Sequence, residues 1–353
     1  MSLSLQSILG TEALAAFEAP GPVARGLPAA VYTSEAFFAL ENQRLFAESW
    51  VFAGFAHDLA RPGDVVPVTV AGKPVLLLRD TGNRIRAFHN VCRHRCLKLV
   101  EETGNLGSRI VCPYHSWTYG LDGALQLAPY FGGRELRAAP AGFDREEHGL
   151  VPARSATWHD WVFVNLSGTA PPFEDFVAPL VKRLDGVDLT GLRHLVTIDL
   201  GEIAANWKLL IENFIEPYHV QFVHPTTTEQ PLADHYTVND PGCLGCAVDV
   251  SRAAKREDTL SADSRYLTLF PNFVFGLYLP DQVGVHLDIP LAPDRTLQRR
   301  GIYSLGPDPA APDLAERLAR LWRDVHLEDR DICERLQAGR ASDAAGGGVL
   351  SPV

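Results

Sequence analysis

The spacing of hydrophobic positions changes several times along this chain, and each change marks a new element. From Ser34 to Trp50, "SEAFFALENQRLFAESW" has a capping serine followed by apolar residues at helical spacing, which predicts a helix. From Arg61 the pattern shortens. "PGDVVPVTV", "KPVLLLRD" and "RIRAFHNV" are β-rich runs broken at "RPG", "AGKP" and "DTGN". "SRIVCP", "SWTYGL" and "WVFVNL" continue the series, with turns at "ETGNLGS" and "LDGA". "GTAPPFED" then reads as a linker into a helical "FEDFVAPLVKRL". In "NWKLLIENFIEPYH" apolar residues at 207, 210, 211, 214, 215 and 218 form a helical stripe. Strands resume at "YLTLFPNFVFGLYLP", "VGVHLDIPL" and "LQRRGIYSL", and a long amphipathic helix is expected from about Pro312 to Gly339.

This order predicts an α+β fold rather than a parallel βαβ sheet. Residues from about 50 to 165 are expected to form a small all-β unit, with helices and antiparallel strands after it, and 341–353, "ASDAAGGGVLSPV", reads as a flexible tail.

The bulk numbers narrow the function classes. The chain has 353 residues, 46% of them hydrophobic and 21% charged, enough to bury a sizeable core. A formal net charge of −11 argues against nucleic acid or an anionic membrane as partner. No apolar run reaches spanning length, and the N-terminus lacks the pattern of a secretory signal. Six cysteines at irregular spacing fit a reduced cytoplasmic protein with metal-ligand cysteines better than a disulfide scaffold.

Two stretches carry most of the chemistry. "VCRHRC" and "VCPYHSW" place Cys92 with His94, and Cys112 with His115, seventeen residues separating the two arms. A zinc site usually draws its cysteines from one arm and its histidines from the other. One of each per arm suits a [2Fe–2S] cluster in which two thiolates hold one iron and two imidazoles the other. Neutral imidazoles raise the reduction potential of such a cluster to roughly −150 to +300 mV. Pro113 and Gly120 restrict or release the backbone at the second arm, and Trp117 and Tyr119 are placed to shield the sulfurs.

"CRHR…CPYHSWTYGLDGAL" resembles the Rieske motif of the Rieske-type non-haem iron oxygenases, in their α (oxygenase) subunits. Cys96 stands where the family often has glycine or another small residue; read alone it is a small buried hydrophobe or, less simply, a disulfide partner. The resemblance extends to "NWKLLIENFIEPYH…H", similar to a family motif whose two histidines bind a mononuclear iron. It implies that His219, His224 and a carboxylate from the last helix are the iron ligands. In "HLEDRDICERLQAGR" the role falls on Asp329, with Asp331 and Asp324 as alternatives that otherwise read as solvated helix charge. Two histidines and one carboxylate leave one face of iron(II) open to oxygen and substrate. Glu216, three residues before His219 and expected on the same helix face, matches the family's acidic bridge between a cluster histidine of one subunit and an iron histidine of the next. Asn213 and Tyr218 are expected to support that network.

The resemblance covers roughly residues 35 to 340, and it implies that 1–49 and 166–340 form one catalytic domain, an antiparallel sheet covered by helices, into which an all-β Rieske domain at 50–165 is inserted. It implies an NAD(P)H-dependent reductase as partner, directly or through a ferredoxin, oxygen and a small molecule as substrates, and a head-to-tail homotrimer. Glu216 and the last-helix stretch resemble the branch that oxidises quaternary ammonium compounds such as carnitine, betaine and choline. The alternative substrate class is an aromatic ring or aromatic acid. Phe270, Phe273, Phe275 and Tyr278 offer a cation cage, although their spacing fits sheet core better. A Rieske electron carrier without oxygenase activity and a zinc-binding module are the readings from other classes. "CLGC", Cys243 to Cys246, is a lone C-x-x-C that reads as structural, as does Cys333. Family members usually continue past "GGGVLSPV" into a further helix.

Overall fold

The structure, a computed structural model, describes residues 4–19, 24–184, 186–225, 232–248, 264–278, 281–305 and 313–351. Pro312, the last two residues of the "GLYLP" run (279–280) and the end of the tail (352–353) lie outside them. The chain divides into two compact units, residues 46–170 and residues 1–45 with 171–353.

In the larger unit, α1 (Leu5–Leu9), α2 (Thr11–Glu18), α3 (Ala30–Thr33) and α4 (Glu35–Leu40) come first. Ser34 caps α4 by accepting from Phe37 N at 3.2 Å, as the sequence pattern predicts. The helix does not run evenly to Trp50, because from Glu41 to Phe46 it widens into a π-helical turn.

The unit 46–170 is all-β. Its strands are β1 (Val51–Phe55), β2 (Asp64–Val70), β3 (Lys73–Arg79), β4 (Ile85–His89), β5 (Gly104–Asn105), β6 (Arg109–Val111), β7 (Thr118–Gly120), β8 (Leu125–Leu127), β9 (Pro152–Trp158) and β10 (Trp161–Asn165). Seven of them form an antiparallel sheet in the order β1-β10-β9-β4-β3-β2-β5, and β6-β7-β8 make a small separate meander. Apolar residues from both, including Val65, Leu76, Phe88, Ile110 and Trp117, bury one core together with Cys92 and Cys112. Each fully buried side chain of this size contributes about 1.5–3 kcal/mol. The core therefore fixes the two loops that carry the cysteines.

The larger unit resumes with α5 (Phe173–Arg183), β11 (Arg193–Ile203), α6 (Trp207–Ile215), α7 (Val220–Val223), β12 (His235–Asp240), β13 (Cys243–Val248), β14 (Arg265–Leu269), β15 (Phe273–Tyr278), β16 (Gln282–Ala292), β17 (Arg295–Ser304) and α8 (Leu314–Arg340). Its sheet runs β11-β17-β16-β15-β14-β13-β12, every pair antiparallel. The expected α+β class is what is observed. α6 and α8 pack on this sheet and on each other, and Ile203, Ala205, Leu210 and Cys333 share a buried cluster there. Lys208 and Glu41 form a buried ion pair at 2.7 Å, with the ammonium 4.9 Å from the Trp207 ring centroid. In the tail, Val349 bridges to Arg25 and Leu350 N donates to Ala24 O.

One helical expectation is corrected. The stripe 206–219 is not one helix: α6 stops at Ile215, and Glu216 is extended, at φ −113° and ψ 134°. Pro217 is the reason, since a residue before proline is pushed out of the α region. Glu216 and His219 therefore meet across a turn and not along a helix face.

Candidate active site

The two cysteine arms are built alike. In the first, Cys92 N donates to Leu97 O and Cys96 N to Cys92 O; in the second, Cys112 N donates to Trp117 O and Ser116 N to Cys112 O. The fifth residue of each loop is left-handed, Cys96 at φ 57° and Ser116 at φ 56°. This corrects the reading of Cys96 as a buried hydrophobe: it is exposed and unpaired, at a backbone conformation that glycine adopts without strain.

Between the loops, the His94 and His115 ring centroids lie 4.7 Å apart, and His94 stacks on Trp117 at 4.9 Å and 7°. Tyr119 Oη accepts from Arg93 N at 3.0 Å, so its proton is free for Cys92 Sγ at 3.3 Å. Burial raises the Cys112 thiol, and burial followed by the nearby charges of His115 and Arg95 lowers His94. A neutral imidazole is what a metal ligand requires, and a thiol raised in this way needs a metal to ionise it. Among the described residues, the group whose ligand atoms close to single-ion distance lies elsewhere. Four donors spread across two loops suit a cluster of two irons better than one zinc ion. The donor set fits a [2Fe–2S] group.

That single-ion group is His219, His224 and Asp329, whose ligand atoms lie within 4.8 Å of one another. His219 and His224 flank α7 as its N-cap and C-cap residues, and Asp329 projects from α8. His224 Nε2 is 2.9 Å and His219 Nε2 3.5 Å from Asp329 Oδ1. The opposite ring nitrogens are held by glutamates: His219 Nδ1 faces Glu216 Oε1 at 2.6 Å, and His224 Nδ1 faces Glu328 Oε2 at 2.6 Å. Both Nε2 lone pairs are thereby available to a metal. Asn213 Nδ2 donates to Asp329 Oδ1 at 2.8 Å.

Burial alone would raise the Asp329 carboxyl, but hydrogen bonds from both histidines and Asn213, with the charge of His224, hold it well below the usual range. Burial alone would lower His219, yet its bonds to Asp329 and Glu216 bring it up to about 9, and His224 is raised in the same way by Asp329 and Glu328. A site that gathers protons so strongly is ready to exchange them for a cation. Two imidazoles and one carboxylate with open positions fit iron(II).

Of the alternatives to Asp329, Asp331 is exposed and pairs with Arg335, and Asp324 is exposed. Tyr218 turns its ring to solvent, 50% exposed, while its backbone N–H donates to Glu216 Oε2. A cleft opens beside the three-residue group, lined among others by Phe214, Tyr266, Tyr278, Arg300 and Trp322. Of the four expected cage aromatics only Tyr278 lines it; Phe273 and Phe275 are sheet core, and Phe270 is exposed near Trp207. Cys243 and Cys246 are buried on β13, three residues apart and so on opposite faces of the strand. Glu328 and Arg300 were not singled out from sequence. Glu328 adjoins Asp329, the one local signal that pointed to it.

The Rieske [2Fe-2S] domain family matches residues 49–138, and the ring hydroxylating alpha subunit (catalytic domain) family matches residues 188–353. The chain therefore carries a Rieske [2Fe-2S] domain followed by a catalytic domain of the ring hydroxylating alpha subunit type. A Rieske cluster and a mononuclear iron are the cofactors these two domains imply. The glycine betaine monooxygenase oxygenase subunit of Pseudomonas aeruginosa is 36% identical over 216 residues, 61% of this chain and 48% of that protein. The chain thus spans about half the length of that relative. The carnitine monooxygenase oxygenase subunit of Escherichia coli K12 is 29% identical over 323 residues, 90% of this chain and 84% of that one. The crystal structure of the quaternary ammonium Rieske monooxygenase CntA with L-carnitine superposes with a TM-score of 0.77 at 27% identity, over 93% of this chain and 89% of that chain. Naphthalene 1,2-dioxygenase, at 22% identity and a TM-score of 0.73, shares the fold. No helix among the described residues is long and apolar enough to cross a membrane.

Proposed function

We propose that this chain is the oxygenase component of a multicomponent Rieske system that hydroxylates or demethylates a small quaternary ammonium compound. The observation that carries the reading is the His219–His224–Asp329 group opening on an aromatic-lined cleft, in a chain similar to carnitine and glycine betaine monooxygenase subunits. In this reading Cys92, His94, Cys112 and His115 hold the [2Fe–2S] cluster, and His219, His224 and Asp329 hold iron(II). When bound, these groups supply electron storage and a centre where oxygen is reduced beside the substrate. The residues around them position and select. Glu216 and Glu328 fix the tautomers of His219 and His224 through the Nδ1 contacts, Asn213 orients Asp329, and the backbone at Tyr218 orients Glu216.

Glu216 is 43% exposed and His115 is exposed in the single chain. Both are therefore available to a neighbouring copy, which supports the head-to-tail homotrimer with Glu216 as the bridge. Electrons come from an NAD(P)H-dependent reductase, directly or through a ferredoxin, in the cytoplasm.

Anaerobic reduction, removal of excess reductant and addition of oxygen with quaternary amines and aromatic acids, followed by mass spectrometry, tests the reading. Loss of a methyl group or insertion of oxygen into an ammonium compound is expected. A phenol or cis-diol as the product would move the enzyme to the ring hydroxylases, and iron at two per chain or fewer would leave an electron carrier.

A further inference from the structure

One buried cation in the cleft is not explained by the metal group. Arg300, on β17, is almost wholly buried and lines the cleft. It lies on a trough made by two glycines that face each other across β15 and β16, Gly276 and Gly284. A Cβ on Gly284 would stand 2.6 Å from Arg300 Nη2, and one on Gly276 would stand 2.4 Å from Tyr278 Oη. Their absent side chains make the room in which the guanidinium and the Tyr278 hydroxyl meet, at 3.2 Å.

The other face of the guanidinium is covered by Trp322, 3.6 Å from its ring centroid, and Trp322 is itself anchored through Nε1 to Gln282 Oε1 at 2.9 Å. Arg300 Nη1 faces His326 Nε2 at 3.1 Å. Those two contacts engage two of five N–H groups, and Nε has no partner among the described residues. None of the described carboxylates pairs with Arg300, and Asp329 is already engaged by Asn213 and both histidines. His286, beside Arg300 in register, lines the same cleft with Nε2 unpartnered. A leucine or methionine would fill this space with no charge to desolvate. Burying a charge without a counter-charge is costly, so an anion that arrives beside Arg300 offsets that cost.

We propose that Arg300, layered between Trp322 and the Gly276–Gly284 pair, binds the carboxylate of the substrate and restricts the enzyme to ammonium compounds that also carry an anionic group. The inference rests on the quaternary ammonium reading above and sharpens it, since glycine betaine and carnitine have a carboxylate and choline has none. Choline would set a second cation beside Arg300 and bring no anion to neutralise the guanidinium. A zwitterion matches both signs in the cleft, where Glu216 and Asp329 also lie.

Equilibrium binding to the iron-loaded enzyme, without oxygen and by calorimetry, separates the possibilities. The ligands are glycine betaine, L-carnitine, choline and 3,3-dimethylbutanoate, the last having the shape of betaine with carbon in place of nitrogen. At least one zwitterion should bind about tenfold or more tightly than choline. Arg300→Met should weaken the zwitterion roughly 10- to 150-fold while leaving choline equal or tighter, with Arg300→Lys intermediate. The unchanged choline affinity is the control for an intact fold, because a merely structural arginine would weaken all ligands alike. Equal binding of choline and zwitterion, or equal weakening of both in Arg300→Met, overturns the proposal and leaves the ammonium reading standing. Binding of 3,3-dimethylbutanoate alone keeps the carboxylate site and overturns the ammonium reading; no binding by any carboxylate overturns the assignment of Arg300.

Discussion

Replacing Glu328 with alanine is expected to weaken iron binding while leaving the fold intact. The carboxylate accepts from His224 Nδ1 at 2.6 Å, a short, charge-assisted contact. It holds a proton on Nδ1, so Nε2, 2.9 Å from Asp329 Oδ1, is the ring nitrogen left to a metal. A hydrogen bond to a charged group contributes about 1.5–3 kcal/mol. Glu328 is 34% exposed, so water replaces part of that, and the lower end applies: about 1–2 kcal/mol, or roughly 5- to 30-fold in iron affinity. Glu328→Gln keeps an acceptor and should lose less. The assay is anaerobic titration with iron(II) against a competing chelator, with the visible absorbance of the cluster as the internal standard. A thermal melt reports on the fold. Iron affinity in Glu328→Ala within twofold of the parent would show that Glu328 is an ordinary surface carboxylate and refute the positioning argument.

Three other expectations follow from the same geometry. Lys208→Met leaves Glu41 buried without its ammonium and should cost about 3–5 kcal/mol in urea denaturation, whereas adding Glu41→Gln should recover most of it. Cys96→Gly relieves a left-handed non-glycine residue, worth about 1–2 kcal/mol before the extra freedom of the unfolded chain is subtracted. It should retain full cluster absorbance and iron content, and a loss of iron would make Cys96 a ligand. In the iron-free protein His219 is raised to about 9 against an ordinary value near 6.5, so its stabilisation is complete below pH ~6.5 and is lost as pH rises through about 9. The loss is on the order of 3 kcal/mol, seen as a lower melting temperature of the chelated protein at pH 9.5 than at pH 6. Iron affinity should rise over the same interval, because metal and proton compete for the ring, and a melt that rises with pH counts against the buried His219–Asp329 pair.

Much of the site could be read along the chain because its chemistry is local. Cys92 with His94 and Cys112 with His115 sit within one loop each, so their spacing carries the signal. His219 and His224 bracket a single short helix. Apolar alternation likewise placed the strands, since burying one face of a sheet imposes a period of two on its residues. Asp329 needed the family motif, because three aspartates and Glu328 stand within eight residues of one helix and only packing chooses among them. α8 turns 322, 325, 326, 329 and 333 toward the unit's interior, which leaves Asp324 and Asp331 in solvent.

Where an element ended or which neighbour was met, tertiary structure decided. Pro217 could have kinked a helix or stopped it; here it stops α6, and Glu216 reaches His219 across the turn. "LQRRGIYS" contains two adjacent arginines that alternation alone cannot rank, and the register with β16 sends Arg300 inward beside His286. Gly276 and Gly284 are unremarkable eight residues apart in sequence. Antiparallel pairing sets them opposite one another, and the missing pair of side chains becomes the bed for a buried cation. The donors and their periodicity are properties of the covalent chain. Which of them face each other depends on strand register and helix packing, which sum weak contacts over the whole unit and leave no mark at any one residue.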